Sequence, residues 1–494
     1  KNIYITTPIF YVNAGPHIGH LYTAVLADTI ARFNAMLGHS VFLSTGTDEH
    51  GTKVQKAANK AILSTFEYCT QISHQFQEMC DIFQVKYSKF IRTTEEQHQN
   101  AVLHFWNCLE KNGHIYRGKY SGWYNISEET FISDKIKKGC IIESGDTIEW
   151  MEEDSYKFRL TSFKDQLKYW LKNGNVIEPA IYRKILIPWL EELQDLSISR
   201  PISRVPWAIP TPSDKSHTIY VWLDALVNYL TSVGYPNNSF KEFWPPTVQV
   251  NVFTIIGKDI LKFHGIYWPA FLMAAGLEPP KKLICHGHWA VKDKKMSKSK
   301  GNVISPFIAM NDFTQDGLRY FLLRQAILDT DAIYLDYNKS KVRKILNSEL
   351  ADTLGNLVNR CFDGIIYNSI EYKSILNSEL AVKNIKILEN LSEEARKLDH
   401  VMDMLRSANQ VFAYYEPWNL SKSKDLNSEK QVEAVISLIL ENLRVAALVL
   451  YPIIPQLSSN LLDFLQVSIK NRNWEDTKAL HLTNDSNETR HVLC

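Results

Sequence analysis

Thr6-Thr7-Pro8-Ile9-Phe10-Tyr11-Val12-Asn13-Ala14-Gly15-Pro16-His17-Ile18-Gly19-His20 is the stretch from which the fold of this chain is read. The apolar run around Ile3 and Ile5 reads as a strand that breaks at Pro8. A loop with Asn13, Gly15 and Pro16 follows, and then a helix. Leu21, Ala24, Val25, Ile30, Phe33, Met36 and Leu37 recur at helical spacing, and Gly38 stops the run. Strand, loop and helix form the opening half of a nucleotide-binding α/β unit, where amides at a helix N-terminus face an anion. His17 and His20 fall in the first helical turn, so both imidazoles can address one ligand, and Gly19 lets that ligand approach the backbone. Imidazoles there can donate hydrogen bonds to a polyphosphate whose charge grows under nucleophilic attack. Taken alone, the tetrapeptide is equally a helix start that carries two histidines.

The chain has 494 residues, more than one core accommodates, and suggests about two to four domains. It is 45% hydrophobic and 22% charged, with no apolar run long enough to span a bilayer, so no membrane partner is expected. The net charge of +1 places any nucleic-acid contact on local patches. The seven cysteines form no CxxC pair and are odd in number. That argues against a zinc knuckle and a secreted disulfide framework, and for a reducing compartment. The sequence begins at Lys1, which is compatible with a removed targeting segment.

Residues 1–112 alternate strand and helix. Val41-Phe42-Leu43-Ser44 reads as a second strand running into Thr45-Gly46-Thr47-Asp48-Glu49-His50-Gly51. Polar residues there lie at the carboxyl edge of a sheet, where Asp48 either holds a ribose hydroxyl or substrate amine or caps the next helix. From 113 to 198 the pattern becomes a small antiparallel insertion followed by helices, with Tyr116, Tyr120, Trp123 and Tyr124 as a local core. Strand-like segments resume at Thr218–Trp222, Val250–Ile256 and Leu283–Cys285, completing an interrupted parallel sheet. Asp259 falls at a strand end, and His264 within the next helix. Lys292, Lys294, Lys295, Lys298 and Lys300 face a single Asp293; such a run is either solvated surface or a mobile loop that neutralises a triphosphate. Beyond 340 the chain is helical, with one apolar stripe of Val342, Ile345, Leu346, Leu350, Leu354, Leu357, Val358 and Cys361. Asp352, Asn356 and Arg360 share a polar face that is either solvated or reads base edges, and Trp418 is able to stack on a base.

Lys295-Met296-Ser297-Lys298-Ser299 supplies the second motif. A HIGH tetrapeptide followed far downstream by KMSKS resembles the signature of class I aminoacyl-tRNA synthetases. Thr6–Gly51, Arg200–Pro212, Tyr220–Tyr229, Gly257–Trp268, His286–Asn302 and the helical tail together resemble the methionyl-tRNA synthetase family. The resemblance implies an α/β Rossmann-type parallel-sheet catalytic domain, split by a connective insertion and followed by an α-helical bundle that binds the anticodon. The implied boundaries are 1–112 and 199–288 for the catalytic halves, 113–198 for the insertion, 289–340 for the KMSKS and stem-contact region, and 341–494 for the bundle.

By the same resemblance, a methionine site would comprise Ile9, Tyr11, Trp222, Ala225, Tyr229, Ile260, His264 and Trp268. Asp48 would take the ammonium, with Arg200 and Asp259 as further family positions. An unbranched thioether suits such an aromatic lining. His17, Gly19, His20, His286, Gly287, Trp289, Lys295, Met296, Ser297 and Lys298 would bind ATP, which arrives with Mg2+. Of these, His17, His20, Lys295 and Lys298 would be catalytic. Asn356, Arg360 and Trp418 would read the anticodon, while Asp352 stands where asparagine is frequent. Leu226 replaces a proline common in relatives, which puts the local turn in question. The insertion holds only Cys140, too few ligands for the structural zinc of many relatives. This insertion and Gly122-Trp123-Tyr124 resemble mitochondrial and some bacterial forms, so the mitochondrial matrix is expected, with the bacterial cytoplasm as the alternative. No dimerisation domain follows the bundle, which favours a monomer.

The implied reaction joins L-methionine to ATP as methionyl-adenylate, then transfers methionine to the 3′-terminal ribose of initiator and elongator tRNA(Met). Leucine, isoleucine and valine enzymes need a larger editing insertion, and the cysteine enzyme needs zinc ligands that are missing here. A catalytically silent tRNA-binding relative is the alternative from another class, and degenerate motifs would be its signature.

Overall fold

The computed structural model describes residues 1–125, 130–132, 148–244, 246–291, 294–296, 302–325, 334–362, 398–423 and 425–478. Two compact units emerge: one from Lys1–Ala27 and Ser40–His288, the other from Asp28–His39 and most of the chain beyond Trp289.

The first unit is built on a parallel sheet. Asn2–Thr6 lies inside it, pairing with Ser40–Asp48 on one side and Val250–Gly257 on the other. Lys282–His286 follows outside Val250–Gly257, then Ile177–Glu178, while Phe10–Tyr11 and Lys89–Arg92 pair with Ser40–Asp48. Parallel strands covered on both faces are apolar throughout, as Ile3, Tyr4 and Ile5 are, all buried. At Gly46 the neighbouring strand comes so close that a Cβ would lie 2.0 Å from the carbonyl oxygen of Ile91. Strand order reverses beside Asn2–Thr6, and in such sheets ligands bind beyond the carboxyl ends at that point. Asp48, Asp259, His286 and the HIGH helix all follow carboxyl ends of these strands.

Three expectations change. Thr218–Trp222 is not a strand of this sheet: His217–Ile219 pairs antiparallel with Ser199–Pro201, and Val221–Thr231 is a helix. That helix is buried on nearly every side, and its first residues, Val221 and Trp222, continue the strand-favouring run of Thr218, Ile219 and Tyr220. Leu226 lies within it and is buried, so the proline-to-leucine departure leaves a regular helix. Ile177–Glu178, read as part of the insertion, joins the parallel sheet as its edge. Leu37 lies beyond the end of the helix Ile18–Met36 and is exposed.

The insertion is antiparallel as expected. Ile115–Asn125 pairs along its length with Ile148–Phe158, which is flanked by Leu196–Ser197. Trp123 and Trp150 meet edge to face across it, 5.6 Å apart. Cys140 lies outside the described residues. Among the described residues, no group of three or more His, Cys, Asp or Glu is arranged to hold a metal ion.

In the second unit, Lys339–Ile345, Leu346–Gly355 and Asn356–Phe362 form one continuous helical run whose central stretch is π-helical. Its expected apolar stripe packs against Leu398–Tyr415 and Leu426–Leu450. Asp28, Arg32 and Arg319 form one buried charge cluster. Asp28 Oδ2 accepts from Arg32 Nε and Arg319, both at 2.7 Å, and Arg319 also donates to the carbonyls of Pro452 and Ile453.

Candidate active site

The HIGH turn has a defined hydrogen-bonding state. The amide of His17 donates to Nδ1 of His20 at 3.1 Å, and the amide of Gly19 donates to Nδ1 of His17 at 3.0 Å. The rings stack with centroids 3.8 Å apart. An amide can only donate, so both Nδ1 atoms are acceptors, and each ring carries its proton on Nε2. The backbone thus fixes the tautomer that offers an N–H donor from each imidazole. Phe10 and Phe76 hold the His20 ring edge to face, at 5.3 and 5.1 Å.

His286 ends the strand Lys282–His286. Its Nδ1 donates to the carbonyl of Gly287 at 2.8 Å, and its Nε2 lies 2.9 Å from Oγ1 of Thr23, one turn beyond His20 on the HIGH helix. Burial pushes the imidazole below its ordinary pKa, so it is neutral and Nε2 accepts from the Thr23 hydroxyl. Thr23 was not singled out in the sequence, because its partner His286 lies 263 residues away.

The residues expected to hold methionine largely converge. Tyr229 Oη lies 2.7 Å from Nε2 of His264, whose Nδ1 lies 2.9 Å from the carbonyl of Ile260. Burial drives the His264 pKa down to about 4, so the ring is neutral. A carbonyl only accepts, so the single proton sits on Nδ1 and Nε2 receives the Tyr229 hydroxyl. Trp268 packs 5.9 Å from Tyr229, and Trp222 stands perpendicular to His264 at 6.4 Å. Ala225 is buried on the same helix as Trp222 and Tyr229. Two supports were missed: Phe263 stacks on Trp222 at 3.6 Å, and Tyr4 donates to the Tyr229 carbonyl at 2.8 Å. Both contacts join residues distant in sequence, and local pattern carries no signal of them.

Tyr11 and Asp48 are register partners on adjacent strands, with Ile9 just before that pair. Glu49, next in sequence, is committed to structure: its carboxylate takes Arg92 Nε at 2.7 Å and the Thr47 hydroxyl at 2.8 Å. Gly51, with φ 108°, opens the following helix and donates its amide to the carbonyl of Trp207. Asp259 is half exposed, 3.9 Å from His288. Arg200 is buried against the Ser197 and Ser199 carbonyls, with its guanidinium 4.6 Å over the Tyr220 ring.

Of the second motif, Lys295 lies in a short strand paired with Ala290, and Met296 is buried. Ser297 and Lys298 lie outside the described residues. Trp289 is buried against Phe321 at 5.7 Å, a core contact. In the helical unit, Arg360 and Trp418 are brought together: the guanidinium lies 4.9 Å over Phe412 and 5.5 Å over Trp418. Asn356 is exposed one turn before Arg360. Glu416, in the left-handed region at φ 41°, turns the chain into the short helix that carries Trp418.

The family model described as tRNA synthetases class I (M) matches residues 3–146 and 136–362. A probable mitochondrial methionine–tRNA ligase of Dictyostelium discoideum is 41% identical, over 96% of this chain and 87% of its own length. The mitochondrial methionine–tRNA ligase of Homo sapiens is 43% identical over 95% and 84%, and a Rickettsia bellii methionine–tRNA ligase 39% over 95% and 93%. A structure of the Mycobacterium tuberculosis methionyl-tRNA synthetase in complex with methionyl-adenylate superposes with a TM-score of 0.89 at 33% identity, covering 97% of this chain and 96% of that one. The chain belongs to the methionyl-tRNA synthetase family of class I aminoacyl-tRNA synthetases.

Proposed function

We propose a division of labour among the residues of this chain, a methionine–tRNA ligase, in which the HIGH turn serves the phosphates and the Tyr229–His264 pair serves the amino acid. The methionine carboxylate attacks the α-phosphate of ATP, giving methionyl-adenylate and pyrophosphate. The 3′-terminal ribose of tRNA(Met) then attacks the activated carbonyl. Carboxylate is a competent nucleophile, so catalysis reduces to positioning and to stabilising charge on phosphorus. His17 and His20 donate through Nε2–H to the phosphate oxygens; the observation that carries this is the pair of backbone amides fixing both tautomers.

Asp48 takes the substrate ammonium beside Tyr11, and the side chain enters the aromatic lining of Trp222, Ala225, Tyr229, Ile260, His264 and Trp268. A neutral His264, locked by its two hydrogen bonds, presents an apolar ring face to a thioether. Gly19 leaves the backbone open to the nucleotide, with His286 and Gly287 flanking it. On the strength of the motif, Lys295 and Lys298 neutralise the triphosphate, which arrives with Mg2+. Asn356, Arg360 and Trp418 read the anticodon. The single cysteine of the insertion supports a zinc-free form. The names of the Dictyostelium, human and other relatives support a mitochondrial matrix enzyme, and a monomer is its proposed working state.

The test is methionine-dependent ATP–pyrophosphate exchange run against leucine, isoleucine, valine and cysteine. Exchange with methionine alone is expected. Exchange supported equally by another of these amino acids would overturn the assignment of the pocket.

A further inference from the structure

Asp224 is a buried carboxylate that the reaction above does not use. Its Oδ2 lies 2.6 Å from Nδ1 of His50, and its Oδ1 lies 2.7 Å from Nε2 of His98. Burial works against the charged form, yet the two imidazoles hold its pKa down at about 2. The three residues come from separate elements. His50 follows the strand Ser40–Asp48, His98 lies on the helix Glu96–Lys111, and Asp224 on Val221–Thr231. Nδ1 of His98 also lies 3.0 Å from Oγ1 of Thr231, two turns beyond Asp224 on the same side of that helix. One imidazole therefore grips the helix at two points.

An apolar side chain would fill this place at lower cost, because a buried carboxylate is tolerated only when paired. Short bonds to a charged acceptor do what apolar packing does not: they fix distance and direction. The helix so held carries Trp222, Ala225 and Tyr229, and His50 stands two residues from Asp48. We propose that His50, Asp224 and His98 form a positioning clamp that sets the spacing between Asp48 and the helix of Trp222, Ala225 and Tyr229, and so sets methionine affinity. The clamp rests on the reading of those four residues as the methionine site.

The two histidines use different ring nitrogens, which provides the test. An asparagine amide nitrogen falls near the place of histidine Nδ1, and a glutamine amide nitrogen near that of Nε2. His50→Asn and His98→Gln therefore keep the bond to Asp224, whereas His50→Gln and His98→Asn break it. In pyrophosphate exchange with the full chain, the two breaking variants should raise the methionine KM about tenfold or more, and the two conserving variants by less than about threefold. The ATP KM should stay near wild type in all four. A purely structural role would lower the melting temperature without this crossed preference. The same amide preferred at both positions, or equal effects in all four variants, would overturn the clamp. Ala225→Leu adds bulk to the pocket and tests the underlying reading. A raised methionine KM there, with no crossed preference at the histidines, overturns the clamp alone. An unchanged one overturns the pocket reading and the clamp with it.

Discussion

The hydroxyl of Tyr229 lies 2.7 Å from Nε2 of His264, a fully buried imidazole whose single proton is held on Nδ1 by the carbonyl of Ile260. The consequence is a pH dependence with a definite sign. Burial lowers the His264 pKa from 6.5 to about 4 in the folded protein. Between those values the unfolded chain binds a proton that the folded one does not, so stability falls as pH falls through that window. The share due to this residue is on the order of 3 kcal/mol. Urea midpoints measured from pH 4 to 7 for the wild type and His264→Gln should converge toward acid pH. A constant offset would show that His264 does not titrate in this way.

His20→Ala removes one donor and also the acceptor for the His17 amide. The rate of adenylate formation should fall about 100-fold or more, the usual effect of losing a donor aimed at developing charge. The methionine Kd, measured without ATP, should stay within about threefold, because ground-state binding of the amino acid does not use this ring. Single-turnover kinetics separate the two quantities. Equal loss in both would place His20 in the methionine pocket instead.

Trp418 lies under the Arg360 guanidinium and beside Phe412, 5.6 Å between ring centroids. Trp418→Ala should raise the KM for tRNA(Met) about tenfold, the range of one base-stacking contact. Pyrophosphate exchange without tRNA should be unchanged. A tRNA KM that does not move would make the ring only a packing partner of Arg360.

Gly46 tests the sheet itself. A methyl group there would meet the backbone carbonyl of Ile91 at 2.0 Å, and a strand carbonyl cannot swing aside as a flexible side chain can. Gly46→Ala should therefore destabilise the protein by more than about 3 kcal/mol, read as a drop in the denaturant midpoint. A change below about 1 kcal/mol would mean that the strand Lys89–Arg92 detaches at little cost.

Local physics made much of this legible. The HIGH helix, the strand ending at Asp48 and the stripe from Val342 to Cys361 each follow from periodicity that reaches the next residue or the next turn. Thr218–Trp222 misled because Thr, Ile, Tyr, Val and Trp all favour strands, and the strand His217–Ile219 gives way to a helix at Val221 with no Gly or Pro to mark the change. Ile177–Glu178 escaped notice because two residues carry no alternation. The His50–Asp224–His98 set joins residues 126 and 174 positions apart, a distance at which one sequence holds no pairing signal. In the candidate site the motif residues were legible, while their supports Phe263, Tyr4 and Thr23 were not, since these act through contacts made only on folding.

Asp28 and Arg319 provide the last test, one of stability in the helical unit. Both side chains are fully buried, and the single carboxylate serves two guanidinia, those of Arg32 and Arg319. Asp28→Asn keeps the size and one acceptor oxygen but removes the carboxylate charge that both buried guanidinia bond, and should cost about 3–5 kcal/mol. Arg319→Met removes one of the cations, and Asp28 stays paired with Arg32 at 2.7 Å. That variant loses the hydrogen bonds to the carbonyls of Pro452 and Ile453 and should cost less, about 2 kcal/mol. Joining the two changes should restore part of the loss, because one cation then remains where there were two. Guanidinium denaturation of the two single variants and the double variant measures this coupling. Simple additivity would show that the charges are screened by solvent, in conflict with their burial.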